Sequence, residues 1–94
     1  MMRVEHVGLN VAEPTAMAAW FGEHCGFSVK RKLNVAADTH FIVDDSGQVI
    51  LEVYCNDKAT VPDYAAMNPL QLHVAFQVED VTETMERLLR AGAT

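Results

Sequence analysis

His6-Val7-Gly8-Leu9-Asn10-Val11-Ala12-Glu13 reads against His73-Val74-Ala75-Phe76-Gln77-Val78-Glu79-Asp80 without a gap, at an offset of 67 residues at both ends. Each copy is a histidine on an alternating stretch, then a small residue, a large apolar residue, a side-chain amide, a valine and an acid. Successive side chains of a strand point to opposite faces. The alternation therefore puts histidine and amide on one face and the large apolar residues on the other. A helical pattern follows each copy at once, so the sequence reads as a duplicated strand–helix unit with an equivalent histidine in each.

Working outward from the first copy, residues 3–11 are expected to form a strand, with Val7, Leu9 and Val11 on one face and Val4, His6, Gly8 and Asn10 on the other. Pro14 suits a first helical turn, where its missing N–H leaves no bond unmade. Met17, Trp20, Phe21 and His24 recur at helical spacing as the buried stripe, and Gly26 ends the helix. Residues 27–33 form a second strand whose Lys30-Arg31-Lys32 centre marks an edge and reads as solvated. Residues 39–43 form a third, Asp44-Asp45-Ser46-Gly47 a hairpin turn, and residues 48–55 a fourth. In that fourth strand Val49, Leu51 and Val53 share one face, and Ile50, Glu52 and Tyr54 the other.

Pro62 and Pro69 mark residues 56–69 as a linker. Residues 70–78 follow as a fifth strand. Asp80 with Glu83 forms a capping box, and Val81, Met85, Leu88 and Leu89 are the apolar stripe of a second helix closed by Gly92. The expectation is a single α+β domain over residues 1–94: a complete βαβββ module at 3–55, the linker, and an incomplete βα module at 70–94.

Composition excludes several classes. The net charge of −6 disfavours nucleic acid and anionic membrane as partners. No apolar run approaches the roughly 18 residues of a membrane span, and strand pattern directly follows Arg3 where a signal peptide would lie. Cys25 and Cys55 lack metal-type spacing and read as reduced core thiols of a cytoplasmic protein.

Three residues with chemical potential face away from the helix-packing side: His6, Glu52 and His73. Their neighbours there, Gly8, Asn10, Gln71, Ala75 and Gln77, are small or polar, which suits a cleft better than a core. An acid centred between Leu51 and Val53 must be solvated, paired or bound to a cation. Two imidazoles and a carboxylate suit a divalent Fe, Ni, Zn, Mn or Co ion with open coordination positions. Asn10, Tyr54 and Gln77 are candidates for substrate contact. His24, at a helix end, and His40, alternating with Ile42, are given no ligand role.

The segments EHVGLNV (5–11), WFGEHCGF (20–27), ILEVY (50–54) and LHVAFQVEDV (72–81) together resemble the vicinal oxygen chelate superfamily: glyoxalase I, extradiol dioxygenases, methylmalonyl-CoA epimerase and the bleomycin- and fosfomycin-resistance proteins. The resemblance implies paired βαβββ modules with metal ligands on the first, fourth, fifth and eighth strands. The first three positions match His6, Glu52 and His73. At the internal offset, the counterpart of Glu52 falls beyond Thr94. The implied function is a metal-dependent glyoxalase-like lyase or isomerase, or a dioxygenase, acting on a small substrate with adjacent oxygens, with Glu52 as ligand and base. Its competitors are a metal-free drug-binding protein and a shortened member that keeps the fold alone. The resemblance also implies a homodimer in which modules pair between chains.

Overall fold

The computed structural model describes every residue except Val49, with Ile50 described by its backbone alone. The face expected for Val49 and for the Ile50 side chain therefore lies outside the described residues. The chain divides into two compact units, Met1–Pro62 and Asp63–Thr94.

The first unit contains β1 (Val7–Asn10), α1 (Pro14–Cys25), β2 (Ser28–Lys32), β3 (His40–Val43) and β4 (Ile50–Tyr54). The strands form one mixed sheet in the order β1-β4-β3-β2. β1 runs parallel to β4, while β3 is antiparallel to both β4 and β2. Parallel neighbours need a long crossover, here supplied by α1, β2 and β3. α1 begins with Pro14 and ends at Gly26, whose φ of 71° is the left-handed conformation that glycine adopts without penalty. Gly47, at φ 73°, closes the β3–β4 turn, where Asp44 accepts from the Ser46 backbone N–H at 3.1 Å.

The core lies between α1 and the two central strands. Ile42 and Val53 are fully buried, and Ala18 packs with Ile42 and Leu51, flanked by Phe21 and Phe27. Burying side chains of the Ile42 and Val53 class contributes roughly 1.5–3 kcal/mol each. The expected helix stripe is corrected here. Pro14 and Ala18 are the fully buried helix residues, while Met17, Trp20, Phe21 and His24 are only half-buried. A small Ala18 lets the helix backbone approach the sheet, so larger side chains pack at its flanks. Along the register row Val7–Leu51–Ile42–Val29, burial is confined to the central strands, and Val7 and Val29 are exposed at the edges. Strand β1 is also shorter than the predicted 3–11, because only Val7–Asn10 has a ladder partner in β4.

In the second unit, α2 (Val81–Arg90) is its one assigned regular element among the described residues. The Asp80 carboxylate accepts from the Glu83 N–H at 3.0 Å, capping the helix, and Arg87 and Arg90 in the last turn complement its dipole. The predicted strand at 70–78 forms no ladder within this unit, which offers no second strand to pair with. Leu72, Val74, Phe76 and Val78 are exposed, as are Val81, Met85 and Leu89 of the helix stripe. No described helix is long and apolar enough to cross a membrane.

Candidate functional site on the open sheet face

Sheet register builds this face. Gly8 pairs with Glu52, Glu52 with Phe41, and Phe41 with Arg31, so one row crosses all four strands on the side away from α1. His6 stands just before β1. Its Nε2 lies 3.8 Å from Glu52 Oε1, and its ring meets Phe41 edge-on with centroids 5.3 Å apart. On the ring's other side, Nδ1 is hydrogen-bonded to the Glu5 carboxylate. A proton held at Nδ1 leaves Nε2 as the basic nitrogen aimed at Glu52. The Glu5 hydrogen bond, with the negative charges of Glu5 and Glu52, raises the His6 pKa above its ordinary value against a smaller opposing effect of burial.

Gly8 provides the space beneath. A Cβ there would stand 3.1 Å from Glu52 Oε1 and 3.1 Å from Tyr54 Cε1, so both side chains lean over the glycine. Beside His6, an open depression of about 320 Å³ is lined by Glu5, His6, Lys30, Arg31 and Phe41. That volume is at the small end for ligand sites. The Arg31 guanidinium carbon lies 5.7 Å from the Phe41 ring centroid, within cation–π range.

The sequence-predicted residues separate into groups. His6, Glu52 and Tyr54 share the open face. Asn10 is buried and committed to the loop: Nδ2 donates to the carbonyls of Asn56 and Ala59, both at 3.1 Å, and Oδ1 accepts from the Asn56 N–H at 2.8 Å. With both amide hydrogens used, Asn10 holds the chain leaving β4 in place. His73 and Gln77 belong to the second unit and are exposed. There His73 Nδ1 is 2.7 Å from the Pro69 carbonyl, which as an acceptor requires the proton on Nδ1 and again leaves Nε2 basic. His24 is half-buried beside Trp20, and His40 is buried with Nδ1 2.8 Å from the Asp38 carbonyl. Asp38 has its pKa lowered chiefly by the Thr15 hydroxyl, with His40 and Lys32 adding to the effect.

Sequence reading missed Glu5, Lys30, Arg31 and Phe41. Glu5 is adjacent to His6 and legible in principle. The other three reach the depression through pairing register, which no periodicity within one strand reveals.

A histidine nitrogen and a carboxylate oxygen are suitable donors for a divalent ion. Two ligands about 2.0–2.1 Å from a tetrahedral ion stand roughly 3.4 Å apart. The His6–Glu52 gap of 3.8 Å closes to that with a small side-chain adjustment. A ligating imidazole ordinarily donates its other N–H to a carboxylate or backbone carbonyl, as His6 does to Glu5 and His73 to Pro69. Among the described residues, no three His, Cys, Asp or Glu side chains gather at one point, and the donors of the first unit come as a pair.

A helix-backed mixed sheet in the order β1-β4-β3-β2 is compatible with the βαβββ module of the vicinal oxygen chelate superfamily. The match to a family model described as Glyoxalase-like domain covers residues 6–94, and the chain belongs to that family. No curated protein and no solved structure matches the chain.

Proposed function

We propose that the chain is a metal-dependent enzyme of the vicinal oxygen chelate type, acting on a small substrate with two adjacent oxygens. The observation that carries this reading is the His6 Nε2–Glu52 Oε1 pair, 3.8 Å apart over Gly8 with the far side of the imidazole fixed by Glu5. His6 and Glu52 are the donors of the first unit, and His73, with its proton held at Nδ1, is the donor the second unit offers. A bound Fe, Ni, Zn, Mn or Co ion would supply Lewis-acid stabilisation of negative charge on the adjacent oxygens. The chain's own contribution is positional. Glu5 orients the His6 ring, Gly8 leaves room for the Glu52 and Tyr54 side chains to lean over β1, and the Glu52 carboxylate accepts a proton from a substrate carbon or hydroxyl. Tyr54 contributes a wall beside it.

Metal content after reconstitution, measured on the intact chain and on His6→Ala, Glu52→Gln and His73→Ala, tests the proposal. Near-stoichiometric metal in the parent, lost in the first two variants, supports it, and loss in the third adds His73 to the ligand set. A parent chain that retains none of the five ions sinks it. The competing drug-binding reading predicts uptake of a cationic glycopeptide without metal, and Lys30 and Arg31 in the depression weigh against such a ligand.

We further propose a homodimer. The alternating apolar residues at 70–78 form no ladder in their own unit, and strand pairing with a second copy would satisfy their backbone groups. Sedimentation at micromolar concentration should show twice the chain mass, and a stable monomer would remove this part.

A further inference from the structure

The Lys30-Arg31-Lys32 run is not a uniform solvated face. Val29 pairs with Ile42, but the next partner of β3, Phe41, faces Arg31 rather than Lys30. Lys30 is thus the extra residue of a β-bulge, and two consecutive residues stand opposite one. A regular strand would send neighbouring side chains to opposite faces. Here Lys30 and Arg31 both line the depression that holds His6 and Phe41. Bulges recur beside functional sites because they re-aim side chains in this way.

Phe41 braces the arrangement, with the Arg31 guanidinium over its ring and His6 against its edge. Among the described residues, no carboxylate lies within ion-pair distance of Lys30 or Arg31. A chain with net charge −6 therefore presents two adjacent cations beside its candidate donor pair. A guanidinium offers a planar fork that matches an oxyanion, and an ammonium adds a second charge from a flexible stem.

We propose that Lys30 and Arg31, brought side by side by the β2 bulge and braced by Phe41, form an oxyanion subsite, so that the ligand is a small molecule bearing a carboxylate or phosphate monoester. This rests on reading the open face as the ligand site and narrows its substrate class to anions. Edge-strand charge that serves only to block sheet pairing would need neither the shared depression nor the Arg31–Phe41 contact.

The test titrates the intact chain, before and after metal reconstitution, with benzoate, phenyl phosphate and the uncharged benzyl alcohol, followed by amide chemical shifts. Benzoate or phenyl phosphate should bind and benzyl alcohol should not, and whichever anion binds tighter identifies the oxyanion. Arg31→Ala should weaken binding about tenfold or more, and Lys30→Ala several-fold, as for loss of a charge-assisted bond. Arg31→Lys should retain part of the affinity, because charge survives without the fork. Lys32→Ala, opposite His40 in the ladder, should bind as the parent does. The subsite is overturned if neither anion binds, if Arg31→Ala and Lys30→Ala match the parent, or if Lys32→Ala costs as much as they do. Metal uptake is read separately. A chain that takes up no metal but loses anion binding in Arg31→Ala and Lys30→Ala keeps the subsite and drops the metal reading.

Discussion

Residues His6–Glu13 and His73–Asp80 carry almost the same pattern, yet the two units treat it differently. In the first, Val7–Asn10 gains a parallel partner in β4, Asn10 and Val11 are buried, and the following helix covers Ile42 and Leu51. In the second, the equivalent residues gain no ladder in their unit, and Val74, Phe76 and Val78 are exposed ahead of a helix with no buried residue. A strand pattern specifies which faces a segment would present. Burial comes only from the partners that the rest of the unit supplies.

Core truncation would break this comparison most directly. Ile42→Ala should cost about 2–5 kcal/mol in denaturant unfolding, as expected for emptying a filled core position. In the dissociated monomer Phe76→Ala should stay within about 0.5 kcal/mol, as for an exposed site. Equal losses would show that residues 70–78 are packed in solution as tightly as the sheet, which a homodimer could bring about. Next in size is Asn10→Ala. It removes three hydrogen bonds to the chain after β4 and should cost about 1–3 kcal/mol, whereas Gln77→Ala at the matching position should be near neutral. Parity between the two would mean that the amides are equivalent after all.

Asp80→Ala sharpens the comparison on the side of the second unit. Loss of the cap on Glu83 N–H should weaken α2 by roughly 1 kcal/mol and speed amide exchange in its first turn. Unchanged exchange would mean that α2 is held by contacts other than its cap. The smallest effect concerns the paired histidines. Glu5 stabilises the protonated His6 ring, so Glu5→Gln should lower the His6 titration midpoint toward the ordinary histidine value. An NMR titration of the His6 ring reads this directly. A midpoint that stays in place would remove Glu5 from the site.

Most of the first unit was legible because its signals are local. Pro14 and Gly26 bound a helix, Asp44–Gly47 closes a turn, and alternation separates Glu52 from Leu51 and Val53. The placing of His6 and Glu52 side by side followed from the same alternation. What stayed hidden depends on relations between strands. Asn10 alternates onto the open face in sequence, but its amide found backbone partners at Asn56 and Ala59, which a single-strand pattern does not contain. Phe41 and Arg31 meet through a register shift, and no run of residues within β2 announces it. Residues 70–78 show the converse, a strand signal without a ladder in its unit.

The bulge in β2 has a further consequence. Deleting Lys30 would leave Arg31 opposite Phe41 and Lys32 opposite His40 in an unbroken ladder. One positive charge would leave the face while every other pairing kept its place. In this chain the number of cations on the open face is therefore set by strand length, a quantity that insertion and deletion alter in whole steps.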